Sequence, residues 1–344
     1  MYRALSILLL LAACSGSPPQ GETALEPTPA MRDVLVEYQN LHPEPLPSLS
    51  LARARMHPTL VDAARAIPNT HGLPAPTIDV PQITELTADG AQTTLAARLY
   101  RPALARNTPV IIAFAGGTWV TPSVGAFDET ARELSARTGF VVVAIELRAA
   151  PDAPFPAIHD DAFASYRWAL SQLRSWGADP TRVILAGEGS TATLAMTVAE
   201  ATRRLHDPAL PAPDHLLLIT PQVTTALDGV SMGDSRNAQP LTRRIVDWAQ
   251  DQYTPDSRDL ADPSMNPGTQ PLTGMPPTTI VIAQIDPLRS QGEALAAALS
   301  AAGVRVSART IPGVTHGFFG LGATIPAAAE AEDWAAARLR DAFR

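Results

Sequence analysis

Seven histidines, one cysteine and no lysine bound the chemistry open to this chain of 344 residues. All 26 basic residues are arginine, which excludes a Schiff-base lysine and a lysine general base. A single cysteine, Cys14, excludes an intrachain disulfide and a thiolate metal cluster. His42, His57, His71, His159, His206 and His215 fall in no motif and lack metal-ligand spacing, so packing or surface roles and no metal site are expected. The remaining candidates stand in loops that follow apolar runs. Gly116 and Gly117 follow the run VIIAF, and Glu188-Gly189-Ser190-Thr191 joins the run Val183 to Ala186 to a helical stretch. Asp286 follows TTIVIAQ, and His316 lies in Pro312-Gly313-Val314-Thr315-His316-Gly317-Phe318. A carboxylate, an imidazole and a hydroxyl are the groups of proton transfer and nucleophilic attack.

Four of these segments, in chain order, resemble the hormone-sensitive-lipase-like esterases, and the likeness extends over most of the chain after about residue 31. Phe114-Ala115-Gly116-Gly117-Thr118-Trp119 is similar to that family's H-G-G-G-W loop, with Ala115 in place of the His and Thr118 in place of the third Gly. Leu147-Arg148-Ala149-Ala150-Pro151-Asp152, followed by Pro154-Phe155-Pro156-Ala157, is similar to Y-R-L-A-P-E and P-F-P-A and reads as scaffold. The segment Arg182 to Ala195 is similar to the strand-turn-helix that carries G-D-S-A-G-G-N-L-A, and without gaps Gly189 falls on the nucleophile and Ser190 one step beyond it. Asp286-Pro287-Leu288-Arg289 and the loop around His316 resemble D-P-L-R and P-G-x-x-H-G-F.

The resemblance implies an α/β-hydrolase fold with a helical cap and hydrolysis of small acyl esters by water, with no cofactor. In that scheme His316 is the general base, Asp286 orients it, and the amides of Gly116, Gly117 and Ser190 form the oxyanion hole. G-x-S-x-G itself is absent. Shifting the frame to centre Ser190 removes both flanking glycines, whereas glycine at 189 adopts the strained elbow conformation freely. Ser190 is therefore expected to cap the following helix, with its hydroxyl away from the base. Three readings stay open: an impaired esterase serving as a binding module for a small acyl ester or other small apolar ligand; a carboxylesterase that uses Ser190 as a displaced nucleophile; and a hydrolase or lyase in which His316 and Asp286 activate water.

The elements that must position these residues follow from periodicity. Short aliphatic runs at 94–100, 110–114, 141–145, 183–186, 215–219, 279–283 and 304–310 alternate with helical stretches at about 127–138, 157–176, 191–206, 287–302 and 325–343. The apolar runs lack alternation, as expected for parallel strands covered on both faces. Residues 31–75 carry short helical patterns broken by prolines, and about 222–275 reads as an insertion with one helix, Leu241 to Tyr253. These two pieces are the expected cap on a hydrolase core spanning 76–344. Ahead of them, residues 1–13 with Cys14 resemble a bacterial lipoprotein signal, since the apolar run is about half of the roughly 20 residues a membrane span needs. Residues 14–30 read as a proline-rich tether. The expected location is the periplasmic face of the outer membrane, anchored by acylation of Cys14. A net charge of -8 without a basic cluster excludes nucleic acid as a partner.

Overall fold

A computed structural model describes residues 25–70, 78, 80, 82–234 and 239–344. Cys14 and the signal segment lie outside the described residues. One sheet of eight strands organises the molecule: β1 (Gln82–Asp89), β2 (Thr94–Arg101), β3 (Thr108–Gly117), β4 (Val141–Ile145), β5 (Ala178–Gly189), β6 (His215–Ile219), β7 (Thr278–Ile285) and β8 (Val306–Thr315). Their spatial order is β1-β2-β4-β3-β5-β6-β7-β8. The first two pairings, β1 with β2 and β2 with β4, are antiparallel, and all the others are parallel.

The helices run in chain order as α1 (Pro29–Asn40), α2 (Leu51–Ala54), α3 (Leu60–Thr70), α4 (Asp128–Thr138), α5 (Ala157–Gln172), α6 (Thr191–Leu205), α7 (Val230–Asp234), α8 (Arg243–Tyr253), α9 (Arg289–Ala301) and α10 (Pro326–Ala342). Each central strand carries an unbroken apolar stretch because it faces two cores, and its side chains alternate between them. Ile112, Val143, Leu185, Leu218 and Ile280 pack on one side with α5, α6 and α9. Their neighbours Ile111, Val142, Ala186, Leu217 and Val281 pack on the other with α1, α3, α4 and α10.

The expected strands and long helices are all present, with three differences. The expectation contained no strand before residue 94, yet Gln82–Asp89 forms the sheet edge; its alternating polar residues leave one face in solvent, which a search for buried runs passes over. Strand β5 runs to Gly189 instead of stopping at 186, because its end pairs Gly189 with Gly117. The 222–275 segment holds the short α7 and three single 3-10 turns besides α8. Hydrogen bonds tie it to the core: the Ser264 carbonyl accepts from Thr197 Oγ1 of α6 at 2.9 Å, and Gln291 Oε1 of α9 accepts from Val223 N at 2.9 Å.

Candidate active site

Asp286 and His316 each stand one residue past the end of a strand, at the same edge of the parallel sheet where β7 and β8 lie side by side. Asp286 is buried, and one carboxylate oxygen accepts the Leu288 amide at 2.8 Å, which fixes its plane. The other accepts Nδ1 of His316 at 2.8 Å. The Nδ1–H therefore points at the carboxylate, and Nε2 keeps its lone pair for a proton acceptor's task. Desolvation pulls the imidazole pKa down, but the charge and hydrogen bond of Asp286, joined by the charge of Glu188, outweigh it and raise the pKa above that of an ordinary histidine.

Opposite Nε2 lies the turn from β5 into α6. Gly189 has φ +58, a left-handed conformation that a side chain occupies only at a cost. A Cβ on Gly189 would lie 3.4 Å from His316 Nε2 and 3.3 Å from the Gly117 carbonyl oxygen. From there a hydroxyl one bond further out, turned toward Nε2, can reach the roughly 2.6–3.2 Å that a general base needs. Ser190 turns elsewhere: its Oγ donates to the Gly117 carbonyl at 3.0 Å, and its backbone is already right-handed helical. The expected capping by Ser190 is thus corrected. The hydroxyl that serves the turn is that of Thr191, which accepts the Glu188 amide at 2.9 Å and lies 3.1 Å from the Phe114 carbonyl, tying the turn to β3. Strand direction brings the Phe114 carbonyl there, a partner 77 residues away that local patterns do not reveal.

Gly116 and Gly117 close the site from β3, beside Glu188 and His316. The Thr118 amide is directed to Thr121 Oγ1 at 3.4 Å, and the two threonine hydroxyls bond at 2.9 Å. Ala115 is buried in the core under α4. Gly116, Gly117, Thr118, Thr121, Glu188 and His316 line a cavity of about 480 Å³ whose outer wall comes from residues between Tyr38 and Arg65, from Leu241 and from Ile245 of α8. That size and its mixture of apolar wall and few polar groups suit a small organic molecule. Among the described residues no group of three or more His, Cys, Asp or Glu side chains is placed to hold a metal ion.

Sequence reasoning passed over Glu188. Its side chain is 9 % exposed, lies against Gly116 and faces the same cavity as His316. Burial pushes its pKa up to about 7; His316 opposes the rise and Asp286 adds to it. An acidic residue next to the elbow was visible, but which way its side chain turned was not.

The family model for the α/β-hydrolase fold matches residues 111–320, which spans Gly116, Gly117, Glu188, Gly189, Ser190, Asp286 and His316. The chain belongs to the α/β-hydrolase family. It is similar to the carboxylic ester hydrolase LipN of Mycobacterium tuberculosis, 34% identical over 253 residues that cover 72% of this chain and 67% of that protein. It is likewise similar to the carboxylesterase NlhH of the same species, 32% identical over 257 residues covering 73% and 79%. Its structure matches that of a thermostable esterase from Pseudomonas putida with a TM-score of 0.79 at 25% identity, covering 94% of this chain and 99% of that one.

In this α/β-hydrolase the loop after His316 is held by a buried carboxyl. Glu332 of α10 accepts the amides of Gly320 at 2.9 Å and Gly322 at 3.0 Å. Its pKa is raised, first by burial and then by the nearby charge of Glu133, with the Arg137 guanidinium at 3.1 Å opposing the rise. The folded protein then holds this proton to a higher pH than the unfolded chain, which releases it at about 4.5. This contribution to stability is complete below about pH 4.5 and is lost as pH rises through the raised folded-state value. Glu332→Gln, which keeps a carboxamide oxygen for the two amides, should flatten the fall in Tm between pH 5 and 9 relative to wild type. Parallel Tm curves for the two proteins would show that Glu332 does not titrate in that range.

Proposed function

We propose that this protein is a lipid-anchored member of the family that takes a small acyl ester, or another small apolar ligand, into the cavity beside His316 and does not act as a serine esterase. The observation that carries the reading is the 3.4 Å approach of a Gly189 Cβ to His316 Nε2: the position from which a nucleophile would meet the base holds a glycine. Ser190, the only hydroxyl-bearing neighbour in the turn before Thr191, gives its proton to the Gly117 carbonyl.

The remaining residues keep defined tasks in ligand binding. The backbone amides of Gly116, Gly117 and Ser190 are the donors for a ligand's carbonyl oxygen, as the family's ester hydrolysis requires of those positions. His316, oriented by Asp286, is a proton acceptor facing that oxygen's carbon. With no side chain to attack, what survives is binding and polarisation, on the order of 10³ to 10⁴ over water in serine hydrolases stripped of their triad.

A second reading is favoured by the same gap. A water placed between Gly189 and Nε2 could be deprotonated by His316 and attack a bound ester, which gives slow hydrolysis that needs His316 and no serine. Covalent labelling separates the alternatives. A fluorophosphonate probe should leave the wild-type protein unmodified; stoichiometric labelling at Ser190 would overturn the reading and restore a serine esterase. Slow turnover of phenyl esters that resists the probe and disappears in His316→Ala would establish the water mechanism instead.

The anchor is the other part of the proposal. Leu11-Ala12-Ala13-Cys14 with Ser15 next supports acylation of Cys14 and retention at the periplasmic face of the outer membrane. Among the described residues no helix is long and apolar enough to cross a membrane. Cys14→Ser should move the protein from the membrane fraction to the soluble one, and unchanged fractionation would exclude the anchor.

A further inference from the structure

Glu188 has no task in the scheme above, yet its position is the least expected in the cavity. A Cβ on Gly116 would lie 3.0 Å from its Oε2 and 3.0 Å from its Cβ, so the side chain lies along the glycine loop that the reading above assigns to carbonyl binding. Its backbone amide is satisfied by Thr191 Oγ1, but among the described residues no hydrogen bond reaches its carboxyl oxygens. A largely buried carboxyl without a protein partner, turned toward a cavity, is costly unless it is neutral or meets a ligand or water there.

Its two protonation states do opposite things there. A carboxylate beside Gly116 would repel the partial negative charge of a ligand's carbonyl oxygen. A neutral carboxylic acid instead offers one O–H donor at the same place. The loop has use for one, because the Thr118 amide is turned to Thr121.

We propose that Glu188, as the neutral acid, is a ligand-binding residue that donates its O–H to the carbonyl oxygen of a neutral ester, ketone or amide lying on Gly116 and Gly117. This rests on the reading that the cavity takes acyl ligands. It commits the site to uncharged carbonyl compounds over free carboxylates at alkaline pH, where Glu188 is itself an anion. The other titratable groups facing it are His316 from the loop after β8 and, behind the imidazole, Asp286 from the end of β7. Farther out on the cavity wall stand Arg55, His57, Asp62 and Arg65, of which Arg55 pairs with Asp152 and Arg65 with Glu129.

Butyrophenone, an aryl ketone that presents the carbonyl of a phenyl ester without a leaving group, is the probe. Its binding to the full-length protein is measured by calorimetry at pH 5.5 and 8.5, with circular dichroism to show that the fold persists. Because the carboxyl titrates near 7, the neutral fraction at pH 8.5 is about one in thirty, and wild-type affinity should fall about 30-fold between the two values. Glu188→Gln keeps a donor at every pH and should bind with an affinity that varies less than about threefold. Glu188→Ala should bind weakly at both. Wild-type binding that ignores pH, or a pH dependence that survives in Glu188→Gln and so belongs to His316, would overturn the assignment of Glu188 alone. Butyrophenone binding to none of the proteins at either pH would overturn the acyl-ligand reading, and this inference with it.

Discussion

Gly189→Ser should raise the hydrolysis of p-nitrophenyl butyrate by at least about 10³-fold over wild type. Removing the serine from an intact triad costs about 10⁶ in kcat. Restoring it here meets a base already oriented: Nδ1 of His316 is held at 2.8 Å by Asp286, and the new Cβ would stand 3.4 Å from Nε2. What the variant does not restore is the third glycine of the loop, since the Thr118 amide is directed to Thr121, and one oxyanion donor is worth about 10² to 10³. The difference leaves about 10³ or more. Two controls fix the origin of the gain: it should disappear in Gly189→Ser combined with His316→Ala, and a fluorophosphonate should label the variant. At φ +58 the serine should also cost about 1–3 kcal/mol of stability, a fall in Tm that identifies a strained elbow. A folded variant no faster than wild type would show that the carbonyl site itself is dismantled.

Gly187→Ala should be among the most destabilising single changes in the chain, on the order of 3 kcal/mol. A Cβ on Gly187 would lie 2.7 Å from the Ala192 amide nitrogen and closer still to the Thr191 carbonyl. Both are backbone atoms of the first turn of α6, so relief requires moving the helix and, with it, the elbow and Ser190. Forced overpacking of a closed core costs about 1–3 kcal/mol and occasionally more, and a backbone obstacle belongs at the upper end. Urea unfolding should register the loss. Gly233→Ala is the matched control: a Cβ there meets nothing within 4 Å, and the stability should change by less than about 1 kcal/mol. Equal midpoints for the two variants would mean that α6 is not packed on β5 as closely as the structure has it.

Several features of this protein are properties of short stretches, and the amino-acid sequence alone determined them. Aliphatic runs without alternation specify strands covered on both faces, and the loops that carry Gly116, Asp286 and His316 follow such runs directly. The elbow belongs to the same class: a left-handed residue at 189 is cheap for glycine and costly for serine, so the ungapped reading of the turn could be chosen on local energetics. The edge strand β1 escaped because its half-exposed pattern resembles a loop until β2 pairs with it.

Only the tertiary structure decided where the polar side chains of the site go. Local rules gave Ser190 a capping role, whereas its hydroxyl bonds a carbonyl 73 residues away. Glu188 could equally have faced solvent at the mouth of the turn; the close approach of Gly116 from β3 folds it into the cavity and, by removing water from it, raises its pKa to about 7. Backbone conformation responds to neighbours along the chain, so it is legible there. A hydrogen-bond partner or a degree of desolvation is set by groups that folding brings from elsewhere, and no local pattern encodes them.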